Sequence, residues 1–157
     1  MQNKSYKSNL TADEKLLMAI VRAGEFYKRT VTAVFKKYDL SFPQYNILRV
    51  LDASENGQSK ITSVSRIMLV PAANMTGLAK RLEKAGFINR KSDPNDERAT
   101  ILEITDKGRK TLLDIEKDRD RCINLMLSVF SNEEKIEFLD YIKRLAPGKH
   151  FKKKNHL

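Results

Sequence analysis

The feature that most constrains this chain is a change of hydrophobic period at residue 86. Before it, apolar residues recur at helical spacing in two closely spaced segments. Val64, Ile67 and Met68 mark the inward face of a short helix from about residue 62. Met75, Leu78, Ala79 and Leu82 mark the inward face of a longer one over 71–85. Pro71 separates them, because proline disfavours a helical conformation at Val70 yet readily opens a helix of its own. Gly86 supplies the stop. Beyond it, 87–91 reads as a strand, 92–96 is dense in turn formers, and Thr100, Leu102 and Ile104 alternate as a second strand. Two helices joined by a tight turn and followed by a two-stranded hairpin make a winged helix-turn-helix. The fold class expected is mainly α with a small β-wing.

The flanks are helical. Thr11 and Glu14 fit a capping box, and apolar residues then recur from Leu16 and Leu17 through Ile20, Tyr27, Val31, Val34 and Phe35 to Tyr38. Ser41 and Gln44 form a second box, with Pro43 tolerated in the first turn and Tyr45, Ile47, Leu48 and Leu51 as the apolar stripe; Asn56 and Gly57 end that helix. Thr105 and Asp106 open a fifth helix that carries six consecutive charged residues at 116–121, then apolar character from Cys122 to Phe130. A helix polar all round in its middle commonly bridges two packed bodies. Ser131 and Glu134 cap a sixth helix, striped by Ile136, Phe138, Leu139, Ile142 and Leu145 and closed by Pro147 and Gly148; a basic tail follows over 147–157.

Composition narrows the chemistry. A formal net charge of +10 over 157 residues favours a polyanionic partner, nucleic acid or an acidic membrane surface. No apolar run approaches the ~18–20 residues of a membrane span, and the polar stretch 1–9 lacks a signal core, so a cytoplasmic, nucleoid-associated protein with no membrane partner is expected. The single cysteine excludes an intramolecular disulfide, and Cys122 is expected to be a buried, inert thiol. His150 and His156 lie in the lysine-rich tail without nearby acids, so neither metal nor cofactor is expected.

On a helical wheel the segment 71–85 turns Ala73, Gly77, Lys80 and Lys84 away from its apolar face, with Asn74, Thr76 and Arg81 on the flanks. Small residues let a helix backbone sit deep in a major groove, where Asn and Thr bond base edges and Lys reaches guanine or phosphate. An ordinary solvated amphipathic helix has the same pattern; its place between a short helix and a wing favours recognition. In the hairpin, Arg90, Lys91 and Arg98 are basic, and Asp96 is placed to brace the Arg98 guanidinium for entry into a minor groove. A surface ion pair is the plainer alternative.

The stretch 64–104 resembles the DNA-binding core of the MarR family of bacterial regulators. The string TGLAKRLEKAGFINR at 76–90 is similar to the family's recognition helix and its exit into the wing; DPNDERA at 93–99 is similar to its Asp-x-Arg wing signature, and ITDKG at 104–108 to the start of its fifth helix. The resemblance implies a single MarR-like domain over 1–157, with a DNA-binding lobe at 41–105 and dimerisation helices at 11–38 and 106–146. It implies that Asn74, Thr76, Gly77 and Lys80 face the major groove of double-stranded DNA and that Asp96 and Arg98 are the wing-tip pair; the wheel adds Ala73 and Arg81 to the recognition surface, and the hairpin adds Arg90 and Lys91. The resemblance also implies a homodimer on a pseudo-palindromic operator and a small-molecule effector, often a phenol or aromatic acid. Tyr27, Tyr38 and Tyr45 are candidates to line its cleft, with plain core packing as the alternative. Oxidant-sensing members of the family carry a cysteine near the N-terminus, and this chain has none there. A non-specific architectural DNA-binding protein stays open as a second reading. An enzyme on a winged-helix platform is a third, though no clustered nucleophile and base, phosphate loop or metal constellation supports it.

Overall fold

The computed structural model describes residues 9–94 and 96–145. These contain six α-helices and a three-stranded antiparallel sheet. The helices are α1 (Ala12–Lys36), α2 (Phe42–Asp52), α3 (Ile61–Met68), α4 (Ala72–Lys84), α5 (Asp106–Leu127) and α6 (Asn132–Leu145); the strands are β1 (Gln58–Lys60), β2 (Ile88–Asp93) and β3 (Asp96–Ile104). The chain divides into two compact units after Arg119, inside the charged run of α5.

The capping boxes read from the sequence all form. The Thr11 hydroxyl accepts from the Glu14 amide at 3.2 Å and the Glu14 carboxylate from the Thr11 amide at 2.7 Å. Ser41 with Gln44 and Ser131 with Glu134 repeat the exchange. Each box satisfies two main-chain donors that a helix start leaves open.

In the first unit, the core gathers Val31, Val34 and Phe35 of α1, Ile47, Leu48 and Leu51 of α2, Val64 of α3, and Met75, Ala79 and Leu82 of α4. Ile88 and Leu102 of the sheet and Ile115 of α5 join them, all buried. The apolar face assigned to α4 is therefore the buried one. Gly86 takes φ +77, the left-handed conformation that reverses the chain after α4, and the Phe87 amide then donates to the Leu82 carbonyl at 3.0 Å. Thr105 caps α5, its hydroxyl accepting from the Gly108 amide and donating to the Gly86 carbonyl. Helix α4, the wing and α5 thus meet at one main-chain junction.

Several expectations are corrected. The wing sheet has three strands in the order β1-β3-β2, because Gln58, Ser59 and Lys60 pair with Glu103, Leu102 and Ile101. Three polar residues offer no alternation to read, so β1 is invisible in the sequence. Helix α2 ends at Asp52, and Asn56 and Gly57 belong to a separate 3-10 turn. Ile67 is 63% exposed instead of packed; Ile61, three residues before Val64, is the half-buried one. The turn between α3 and α4 passes through Leu69 at φ +53, an unusual conformation for leucine. Two bonds between Ser65 and Val70 hold it, one from the Ser65 hydroxyl to the Val70 carbonyl and one from the Val70 amide to the Ser65 carbonyl.

In the second unit, α6 has no fully buried residue: Ile136, Phe138, Leu139, Tyr141 and Leu145 are all exposed, and Phe138 stacks on Phe130 at 6.0 Å. Cys122 is half-buried, not buried. The tail expected over 147–157 lies outside the described residues.

Candidate nucleic-acid interface

Helix α4 presents to solvent the residues opposite its core face. Ala73, Asn74, Thr76, Lys80, Arg81 and Lys84 are exposed and Gly77 is half-exposed. The Thr76 hydroxyl donates to the Ala72 carbonyl at 3.2 Å, a bond within the helix that leaves its lone pairs outward. Lys80 sits one turn further on. The helix start is therefore small and polar, and its later turns are basic, a gradient that suits base edges first and phosphates after.

The wing sorts its four candidate residues into two kinds. Arg90 is three-quarters covered; its Nη1 reaches Glu83 of α4 at 3.3 Å, and its Nε is buried without a hydrogen-bond partner. The Lys91 ammonium lies 2.6 Å from Glu103. Both cations are engaged within the fold, so they act first as structural ties: Arg90 joins β2 to α4, and Lys91 joins β2 to β3. Lys91 nonetheless remains exposed, as are Arg98 and Asp96 beside the hairpin turn. Here too the expectation is amended, because Asp96 Oδ1 accepts from the main-chain N–H of Arg98 at 3.1 Å. The carboxylate holds the backbone from which Arg98 projects, instead of gripping the guanidinium as expected.

Two residues of this region have contacts that the sequence did not signal, although Asp93 opens the wing string. Glu103 is a hub, accepting from Gln58 of β1 at 2.5 Å and Asn89 of β2 at 3.4 Å as well as meeting Lys91. The bonds from Lys91, Asn89 and Gln58 hold its carboxyl below the usual glutamate range. Asp93, 4% exposed, pairs with Lys60 Nζ at 2.7 Å, and that partner raises the lysine pKa. Pairs at such sequence distances follow from sheet order, which spacing cannot reveal.

The three tyrosines are placed differently. Tyr45 is buried and stacks on Phe35 with ring centroids 3.9 Å apart, its hydroxyl accepting from Arg119 at 3.0 Å. The Tyr38 hydroxyl donates to the Asp114 carbonyl. Tyr27 is half-buried and meets Phe42 edge-on, and burial raises its pKa.

A family model described as the transcriptional regulator SarA/Rot matches residues 29–115. The HTH-type transcriptional regulator TtmR of Methylorubrum extorquens is 36% identical over 97 residues, 62% of this chain; the chain spans 49% of that relative's length. Among solved structures, a mutant MarR of Escherichia coli complexed with operator DNA superposes with a TM-score of 0.81 at 15% identity, over 90% of this chain and 100% of that one. BpsR of Bordetella bronchiseptica, whose DNA binding is regulated by 6-hydroxynicotinic acid, gives 0.78 at 15% identity, over 90% and 99%. At these identities the two structures speak for the fold, which is that of MarR-type winged-helix proteins. With the family model covering more than half of its length, the chain belongs to the SarA/Rot family of transcriptional regulators, on the winged-helix fold described above.

Proposed function

We propose that the protein is a homodimeric repressor that reads a pseudo-palindromic operator and releases it when a small aromatic or phenolic effector binds. The observation that carries the reading is the pairing of an exposed, small-to-basic α4 face with a wing whose Arg98 backbone is held by Asp96. Residues Ala73, Asn74, Thr76, Gly77, Lys80 and Arg81 would meet the major groove, and Arg98 the adjacent minor groove, where narrow walls concentrate negative potential. Arg90, largely covered and paired with Glu83, supports this surface, whereas Lys91, paired with Glu103, stays exposed on it.

Dimerisation is supported by apolar surface that one chain leaves open. Leu16, Leu17, Met18, Val21 and Phe26 are exposed along α1, as is the stripe of α6. A two-fold dimer spaces two recognition helices about 34–36 Å apart, one turn of DNA. Of the three tyrosines, Tyr27 is the one suited to an effector, half-buried beside Phe42. A protein of this kind performs no catalysis and needs no cofactor or metal, and it works in the cytoplasm.

Selection of bound fragments from random DNA tests the proposal. A palindromic consensus with half-sites one helical turn apart is expected. Arg98→Ala should weaken binding to that duplex by about 10- to 100-fold, the range for one buried basic contact, while leaving the protein folded. Unchanged affinity in that variant, or recovery of DNA without any consensus, would instead favour the architectural reading, in which charge alone drives binding.

A further inference from the structure

Asp93 is the single charged side chain buried among the described residues, and the wing reading leaves it without a role. It ends β2 immediately before the hairpin turn, where the register breaks between Ser92 and Asp93, and its cross-strand partner is Asp96. Its carboxylate meets the ammonium of Lys60 at 2.7 Å. Lys60 is the last residue of β1 and occupies the N-cap position of α3, the first helix of the helix-turn-helix. Strand β1 does not neighbour β2, since β3 lies between them. The Lys60 side chain therefore spans β3 to reach the base of the wing tip.

A buried carboxylate is costly unless it is compensated, and the Lys60 ammonium, on a side chain 52% exposed, brings an opposite charge to Asp93. The links run in sequence: α3 begins at Lys60, Lys60 holds Asp93, Asp93 pairs with Asp96, and Asp96 holds the Arg98 amide. We propose that Lys60 and Asp93 are positioning residues that set the angle of the wing tip against the helix-turn-helix, so that Arg98 and α4 engage their grooves together. This rests on the DNA-binding reading above. The Lys91–Glu103 and Gln58–Glu103 contacts tie the other end of the same sheet, and the Lys60–Asp93 pair is a tie at the tip end among the described residues.

The test is a double-mutant cycle on the palindromic duplex recovered with the unaltered protein. Lys60→Met and Asp93→Asn are each expected to weaken binding about tenfold, within the range for side chains that act through a shared contact. In an Arg98→Ala background the same changes should cost less than about twofold, because the residue they position is gone. The sign for Asp93→Asn is decisive: removing a negative charge favours a polyanion on charge alone, so weaker binding reports lost positioning. Stronger or equal binding by Asp93→Asn overturns the proposal. Should Asp93→Asn fail to fold, Lys60→Met still decides. A full loss that persists in the Arg98→Ala background, with a shallower salt dependence, makes Lys60 a phosphate contact and overturns the brace. An Arg98→Ala variant with unchanged affinity removes the wing reading itself, an outcome distinct from failure of the cycle.

Discussion

Gly108 offers a severe check on how the wing is joined to the long fifth helix. It lies in the first turn of α5 and is buried. A Cβ added there would sit 2.5 Å from the Phe87 carbonyl oxygen and 2.7 Å from Ile104 Cγ1. Neither can swing aside. The Phe87 carbonyl accepts from the Thr105 amide at 3.1 Å, its own amide is bonded to Leu82, and Ile104 is a buried residue of β3. Alanine in a helix gains up to about 1 kcal/mol over glycine. Against that stand overpacking, about 1–3 kcal/mol, and loss of the Thr105–Phe87 bond, about 1 kcal/mol. Gly108→Ala should therefore destabilise by about 1–3 kcal/mol, lowering the melting temperature by roughly 2–12 °C for a chain of this size. Gly77 in α4 is the matched control, since a Cβ there finds only Arg81 Nη1, at 4.0 Å. Gly77→Ala should be stabilising by up to about 1 kcal/mol while adding a methyl group to the surface proposed to enter the major groove. Calorimetry at one fixed protein concentration compares the two, because dimerisation would otherwise shift both. If Gly108→Ala melts as high as Gly77→Ala, the close approach of α5 to the end of α4 is misjudged and the junction argument fails.

Two further outcomes are expected. The Glu103 carboxyl is held below its ordinary value of 4.5 by Lys91, Asn89 and Gln58, so its contribution is complete above that value and fades as pH falls through the lowered one. The stability difference between the native protein and Glu103→Gln should be present at pH 7 and vanish in acid, read by melting across pH; a difference that grows in acid contradicts the hub. Leu17→Glu places a charge within the exposed stripe of α1 and should convert dimer to monomer in sedimentation velocity, with helical content retained; an unchanged dimer moves the proposed interface elsewhere.

The helix-turn-helix was legible because its signals are local. Capping pairs lie three residues apart, Pro71 and Gly86 act on their immediate neighbours, and the inner face of α4 follows from spacing alone. The wing hairpin was legible as alternation around a turn. What escaped were relations between distant segments. Ile67 falls at helical spacing from Val64, yet α3 is short and rotated so that Ile61 is the more covered of the two. The polar strand β1 exists only because β3 has a free edge to pair with.

The same division separates what each level decided about the site. That a small-to-basic helix face precedes an arginine-bearing hairpin is written in the order of residues, because periodicity and turn chemistry depend on neighbours along the chain. Folding alone set which cations meet an acid within the protein. Arg90 and Lys91 are drawn to Glu83 and Glu103, and Lys60 to Asp93, while Arg98 stands outward on a backbone fixed by Asp96. An ion pair forms between whichever charges folding brings within a few ångströms, and composition carries no record of that proximity.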